Sequence, residues 1–177
     1  LYRAHYLTRS LEDIFLKRKI PYHIYSGVQF FQRMEIKDAL SYLKMILYRD
    51  DTSFLRIANV PKRNLGERRM SFLQEYSNGQ KISLYEALKR NRDHEIMRGA
   101  RAGEFIDLIE NFSSEYSDRS VSEVLADILD QSGYETMLRT GGSQERLDNL
   151  AELKQSVFEY ETSCGEECTL EQIGRAH

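Results

Sequence analysis

Apolar residues recur at helical spacing along most of this 177-residue chain, and only two prolines, Pro21 and Pro61, interrupt the pattern. A helix with one apolar stripe must bury that stripe against another element, so the pattern predicts packed helices. The strongest stripe follows Glu35 and predicts a helix of about 14 residues. Further stripes lie at Leu7–Phe15, Phe54–Ala58, Met70–Tyr76, Phe105–Phe112, Val124–Leu129 and Leu147–Phe158.

Capping residues mark the ends of several predicted helices. Ser83 and Ser120 are each followed, three positions later, by a glutamate, which is the capping-box pattern. Asp50 is placed to cap a short helix through Phe54. The pair Ser132-Gly133 is a typical stop signal at a helix C-terminus.

The aromatic and β-branched run Pro21–Tyr25 predicts one strand, which the block Phe30–Asp38 joins to the helix after Glu35. Residues 1–48 would then form a helix-strand-helix piece, the edge of an α/β domain rather than a complete one. We therefore predict a mainly α protein with this small α/β piece at residues 1–48. A compact, all-helical domain would follow at residues 49–160, and residues 161–177 would be a tail that is frayed or was added by cloning.

Charge is distributed unevenly along the chain. Residues 1–75 carry 14 Lys and Arg against 8 Asp and Glu, whereas residues 76–177 carry 11 against 20. A contact with a polyanion is therefore expected in the first half. No apolar run is long enough to span a bilayer and no signal-peptide pattern opens the chain, which favours a cytoplasmic protein with no membrane partner. Because the chain opens on Leu1 without an initiator methionine, we expect a fragment of a larger protein.

No complete catalytic or metal site is predicted. Cys164 and Cys168 have no matching pair of ligands, so two free thiols are a better interpretation than a zinc site. The chain has neither the Gly-x-x-x-x-Gly-Lys-Ser/Thr phosphate loop nor the Gly-x-Ser-x-Gly elbow. Glu35 and Asp38 have basic neighbours at positions 33 and 37, so local ion pairs explain them better than acid–base chemistry does.

The segment Asn59–Gly66 is a basic hairpin between two predicted helices. A Gly-containing turn between helices can aim backbone N–H groups outward and hold one phosphate, beside the positive end of the second helix. Four cations surround the turn: Lys62, Arg63, Arg68 and Arg69. Such a site grips the DNA backbone without reading the base sequence. The alternative is a plain helix–helix corner whose cations are only solvated.

A second candidate contact lies at the start of the chain. Arg3, with Arg9 nearby, is suited to hold a phosphate, and Tyr2, His5 or Tyr6 is suited to stack on a base. The alternative is a buried strand end with a surface arginine.

Several blocks of the sequence, in the same order, resemble the UvrD/Rep/PcrA-type superfamily 1 DNA helicases. The block Gly27–Leu43, which contains Phe30-Phe31-x-Arg33-x-Glu35-Ile36-Lys37-Asp38, is the most specific. The others are Leu1–Glu12, Ile20–Ile24, Asn59–Arg63, Ser132–Tyr134 and Arg146–Leu153. The resemblance extends from residue 1 to the end of the predicted helical domain.

This resemblance implies that residues 1–48 belong to motor subdomain 2A, with a RecA-like fold, and residues 49–160 to accessory subdomain 2B. The family's ATP-binding loop, magnesium motif and arginine finger lie outside this segment. The chain alone is therefore expected to be inactive and to hold no cofactor. The larger protein would bind ATP and Mg²⁺ and move 3′ to 5′ along DNA, in repair or replication.

The resemblance also implies specific DNA contacts. Arg3 matches a position that contacts single-stranded DNA, and His5 stands where the family has an asparagine for a second contact. The hairpin of subdomain 2B, which is helix-hairpin-helix-like, would bind duplex phosphates. The complete set of predicted DNA-binding residues is Arg3, His5, Arg9, Lys62, Arg63, Asn64, Leu65, Gly66 and Arg68.

The hairpin departs from the family pattern at one position. Asn64 replaces the first glycine of the usual Gly-Ile-Gly, and asparagine is the residue other than glycine that best tolerates positive φ. Expected partners are single-stranded and duplex DNA, together with repair or replication proteins. The other function considered is a non-enzymatic helical module that docks another protein, which the acidic second half favours.

Overall fold

The computed structural model describes residues 27–164, and in this range the chain is helical with no strand. The α-helices, in chain order, are α1 Gly27–Gln32, α2 Met34–Leu47, α3 Asp51–Ile57, α4 Glu67–Gln80, α5 Leu84–Arg90, α6 Ala102–Glu115, α7 Val121–Gln131, α8 Tyr134–Thr140 and α9 Gln144–Cys164. Two short 3₁₀ helices, Glu95–Met97 and Tyr116–Asp118, precede and follow α6. None of the described helices is long and apolar enough to cross a membrane.

The predicted helix ends are confirmed in the structure. The Asp50 carboxylate accepts a hydrogen bond from the Ser53 amide at 3.0 Å and caps α3. The Ser83 hydroxyl caps α5, and the Ser120 hydroxyl caps α7, each through the amide of the glutamate three positions on. Gly133 stops α7 with φ of 82°, a left-handed conformation that favours glycine.

Helix α2 lies at the centre of the described fold and packs against α3, α6, α7 and α9. Fully buried aromatic rings from five helices contribute to the core: Phe31, Tyr42, Phe54, Phe105 and Tyr134. The stripe after Glu35 thus forms the 14-residue helix that was predicted. Within the described range, this helix shares its hydrophobic core with the helices that follow residue 49, and the division at that residue remains a prediction.

The prediction of local ion pairs for the carboxylates on α2 is wrong. Both Glu35 and Asp38 are buried, and their partners are distant in the sequence. Asn149 on α9 donates to Glu35 Oε1 at 2.7 Å, and Arg33 instead pairs with Glu145. A carboxylate excluded from water needs hydrogen-bond donors, and the donors come from the helices that cover α2.

Asp38 receives two strong contacts. The Tyr134 hydroxyl on α8 donates to Asp38 Oδ2 at 2.6 Å, and Arg56 Nε on α3 lies 2.7 Å from Oδ1. Burial raises the pKa of the Asp38 carboxyl above its ordinary value, although the bonds from Tyr134 and Arg56 act in the opposite direction. Asp38 thus fastens two helices to α2.

Several predictions concern residues outside the described range. They are the strand Pro21–Tyr25 with the first helix of the α/β piece, the DNA contacts Arg3, His5 and Arg9, and most of the predicted tail. Two short helices, α1 and α8, were not predicted, and α9 continues to Cys164, beyond the predicted end at residue 160.

Candidate nucleic-acid interface

The hairpin Asn59–Gly66 connects α3 to α4 and is closed by one side chain. Asn59 Oδ1 accepts hydrogen bonds from the amides of Arg63, at 2.8 Å, and Leu65, at 3.1 Å. The peptide bond between Val60 and Pro61 is cis. The amides of Arg63 and Leu65 are therefore bonded inside the turn and do not face outward.

Arg63 is buried, with 3% of its surface exposed. Its Nη1 donates to the carbonyl oxygens of Ile57 and Ala58 at 2.9 and 3.1 Å. Its Nη2 donates to the Tyr42 hydroxyl at 2.8 Å and to Ser132 O at 3.3 Å. Its guanidinium also lies 4.9 Å from the centre of the Phe105 ring. In this arrangement Arg63 holds the hairpin to the core and is not available to a phosphate.

Leu65 and Asn64 also stabilise the conformation of the turn. Leu65 is buried in the core, where it anchors the hairpin. Asn64 has φ of 60°, the positive value for which asparagine is suited, and its Nδ2 donates to Gly99 O at 3.1 Å. Asparagine is therefore compatible with the backbone conformation that the turn requires at this position.

Three of the predicted contacts face solvent together with Asn64: Lys62, Gly66 and Arg68. In the part of the chain that the structure describes, the side chains of Lys62 and Arg68 form no ion pair or hydrogen bond. A Cβ placed on Gly66 would meet no atom within 4 Å, so the approach to the start of α4 is open. No side chain caps this helix terminus, which carries the partial positive charge of the helix dipole.

Arg69, near the start of α4, is half-buried and bonds to backbone carbonyl groups. Its guanidinium donates to Asn64 O at 2.9 Å, to Ile96 O at 2.6 Å and to Arg98 O at 2.8 Å. The four cations around the turn thus divide by role. Arg63 and Arg69 bind backbone carbonyl groups and shape the hairpin, whereas Lys62 and Arg68 point their charges to solvent.

Sequence reasoning missed the segment that supports the hairpin. The Arg101 amide donates to Arg63 O and the Arg101 guanidinium to Lys62 O, each at 2.8 Å. Arg98 and Arg101 are both exposed. The sequence signal for them is the stretch Lys89–Arg101, which has five basic and two acidic residues within the acidic half of the chain.

A series of side-chain contacts connects the hairpin to α2. The Tyr42 hydroxyl accepts from Arg63 and donates to Val60 O at 2.7 Å. Burial raises the pKa of this hydroxyl, although Arg63 lowers it, so the group stays protonated and can donate. The Tyr42 ring meets that of Tyr134 edge-on at 6.2 Å, and Tyr134 binds Asp38. Blocks that are far apart in the sequence therefore meet behind the hairpin.

The chain was compared with known proteins. The family model described as UvrD-like helicase C-terminal domain matches residues 1–174. DNA helicase II of Escherichia coli is 34% identical over 160 residues, which are 86% of this chain and 22% of that protein. ATP-dependent DNA helicase PcrA of Staphylococcus epidermidis is 36% identical over 91% of this chain and 23% of its own length.

A third relative, ATP-dependent DNA helicase Rep of Buchnera aphidicola, is 37% identical over 144 residues, or 78% of this chain. The chain spans 22–23% of the length of these three relatives. The family match covers nearly all of the chain, including the hairpin and the block around α2. This chain belongs to the UvrD-like helicase C-terminal domain family.

Proposed function

We propose that this chain is a segment of an ATP-dependent DNA helicase and that it holds duplex DNA by the phosphate backbone. The observation that carries the proposal is the outward face of the hairpin, formed by Lys62, Asn64, Gly66 and Arg68. This face combines two unpaired cations with the open N-terminal end of α4. Cations and helix N-termini are the groups that proteins use to bind phosphates.

The arrangement favours binding that is independent of base sequence. The exposed groups are two flexible cations, one amide side chain and backbone N–H groups, and they sit on a short turn and the first turn of α4 rather than along the side of a helix that could enter the major groove. Phosphate contacts of this kind fix the position of a protein on the duplex, whereas base-edge contacts specify sequence. A helicase must act on any sequence, so this property fits the proposed role.

The proposed role of the segment is to contact DNA and regulate the motor, rather than to hydrolyse ATP. The sequence has no phosphate-binding loop of the Gly-x-x-x-x-Gly-Lys-Ser/Thr type, so ATP and Mg²⁺ would bind elsewhere in a larger protein. The curated relatives, which are about four times longer, are named as helicases, two of them as ATP-dependent. In the proposal, the larger protein moves 3′ to 5′ in the cytoplasm, and residues 1–48 and 49–160 belong to its subdomains 2A and 2B.

The contacts proposed for single-stranded DNA are Arg3, His5 and Arg9. These three residues lie outside the described range, so the only support for these contacts is the family resemblance. The second candidate function, docking of another protein by a non-enzymatic helical module, is favoured by the net charge of the second half, where acidic residues outnumber basic ones by 20 to 11.

The salt dependence of duplex binding tests the proposal. We expect the variant Lys62→Ala/Arg68→Ala to bind a fluorescein-labelled, blunt 20-base-pair duplex more weakly than the original chain in fluorescence anisotropy. Each phosphate contact releases about 0.9 counterions, so the slope of log K against log salt concentration should shrink by roughly 1.8. The loss should be the same for two duplexes of unrelated sequence.

A matched control removes the same charge elsewhere. Arg90 on α5 and Arg139 on α8 are exposed and do not bond to the hairpin, so Arg90→Ala/Arg139→Ala should leave the slope unchanged. If both double variants reduced the slope equally, the effect would come from net charge and the hairpin assignment would be refuted. A slope near zero for the original chain would favour the protein-docking alternative.

A further inference from the structure

The turn formed by residues 98–101, between the 3₁₀ helix Glu95–Met97 and α6, is bonded to the hairpin through Gly99 and Arg101 and to α4 through Arg98. Five hydrogen bonds join residues 96–101 to the hairpin and to the first turn of α4. The donors are Asn64 of the hairpin, Arg69 of α4 and, from the turn, Arg101 through both its amide and its guanidinium. The hairpin and this turn therefore behave as one structural unit.

The side chain of Arg98 is left free by these bonds. Arg69 binds the backbone carbonyl of Arg98 and not its guanidinium. The residue is exposed, and no ion pair or hydrogen bond of its side chain occurs in residues 27–164, the described part of the chain. One guanidinium group, that of Arg69, bonds to both Arg98 O and Asn64 O, so the Arg98 backbone lies close to Asn64, one of the residues of the outward face.

Arg101 differs from Arg98 in this respect. Its guanidinium donates to Lys62 O and lies 3.5 Å from Glu104. It is committed to holding the hairpin and its charge is partly balanced. Among the two arginines of the turn, Arg98 is the one whose donors remain available to a ligand.

We propose that Arg98 is a second phosphate-binding arm of the same duplex interface. This inference rests on the proposed function of the hairpin and adds a residue to it. An exposed arginine presents a planar set of N–H donors that matches the geometry of a phosphate, and arginine is the side chain best suited to bidentate binding of such a group. The chemistry recognised is the DNA backbone, so the contact carries no sequence preference.

The test is the same salt titration with the labelled duplex. We expect Arg98→Ala to reduce the slope of log K against log salt by about 0.9, and Arg98→Lys to restore most of it because the charge returns. Between 50 and 200 mM salt, the variant should lose about threefold less affinity than the original chain does, as one contact fewer predicts. The melting temperature should not change, because the backbone bond to Arg69 remains.

The possible outcomes separate this inference from the proposed function. If Lys62→Ala/Arg68→Ala reduces the slope and Arg98→Ala does not, the inference is overturned and the hairpin contact stands. If Arg98→Ala reduces the slope and the hairpin variant does not, a single interface with Arg98 as its second arm is overturned. An Arg90→Ala variant that matched Arg98→Ala would also overturn the inference, since it would show an effect of net charge alone.

Discussion

Replacing Arg63 by alanine is expected to lower the free energy of unfolding by roughly 2–4 kcal/mol, because it leaves three buried acceptors and one partly buried acceptor without their donor. These acceptors are the carbonyl oxygens of Ile57, Ala58 and Ser132 and the hydroxyl of Tyr42. The loss also opens a cavity against the Phe105 ring. Urea unfolding followed by far-ultraviolet circular dichroism measures the effect.

The neighbouring cation supplies the control for this prediction. Lys62 is exposed and its side chain bonds to no residue of the described range, so Lys62→Ala should change stability by no more than about 0.5 kcal/mol. Arg63→Lys should recover only part of the stability, since one ammonium group cannot reach four acceptors on different sides. Equal stabilities for Arg63→Ala and Lys62→Ala would contradict the structural role of Arg63.

Replacing Asp38 by alanine is expected to cost a similar amount, about 2–4 kcal/mol, because the buried Tyr134 hydroxyl and the Arg56 guanidinium both lose their acceptor. Tyr134→Phe should cost less, and the two changes should not add. In a double-mutant cycle, residues that share a hydrogen bond give coupling energies of about 0.5–3 kcal/mol. Additive effects would show that the contact between Asp38 and Tyr134 contributes nothing to stability.

The pH dependence of the same site has a defined sign. Because the pKa of Asp38 is raised in the folded protein, the folded state binds this proton more tightly than the unfolded state does. The contribution of Asp38 to stability should therefore fall as the pH rises above about 4, the ordinary pKa of aspartate. Urea titrations of the original chain and of Asp38→Asn, at pH 4 and pH 7, should show a smaller advantage for the original chain at pH 7. A larger advantage at pH 7 would refute the assignment.

The sequence was sufficient to predict most of the helices, because their signals are local. The apolar stripe after Glu35 and the caps at Asp50, Ser83 and Ser120 depend on residues within a few positions of each other. The partners of Glu35 and Asp38 were predicted wrongly for the opposite reason. Their donors lie on α3, α8 and α9, and only the packing of those helices against α2 brings them together.

At the candidate site, too, the sequence predicts local conformation but not the contacts between residues that are distant in the sequence. A basic turn with an asparagine suited to positive φ could be recognised from Lys62–Gly66, and the φ of Asn64 agrees with that expectation. The directions of the cations could not be recognised, since Arg63 and Lys62 are adjacent and chemically alike. The inward direction of Arg63 follows from the carbonyl groups at the C-terminal end of α3 and from Tyr42 on α2.

The central claim is that the outward face of the hairpin is the surface that meets duplex DNA. It is tested most directly by adding an unlabelled blunt duplex to the ¹⁵N-labelled chain and recording ¹⁵N–¹H correlation spectra at low salt. We predict that the amide signals of Asn64, Gly66, Arg68 and Arg98 shift progressively with added DNA and return when salt is raised. Shifts confined to other helices, with these four signals unmoved, would contradict the account.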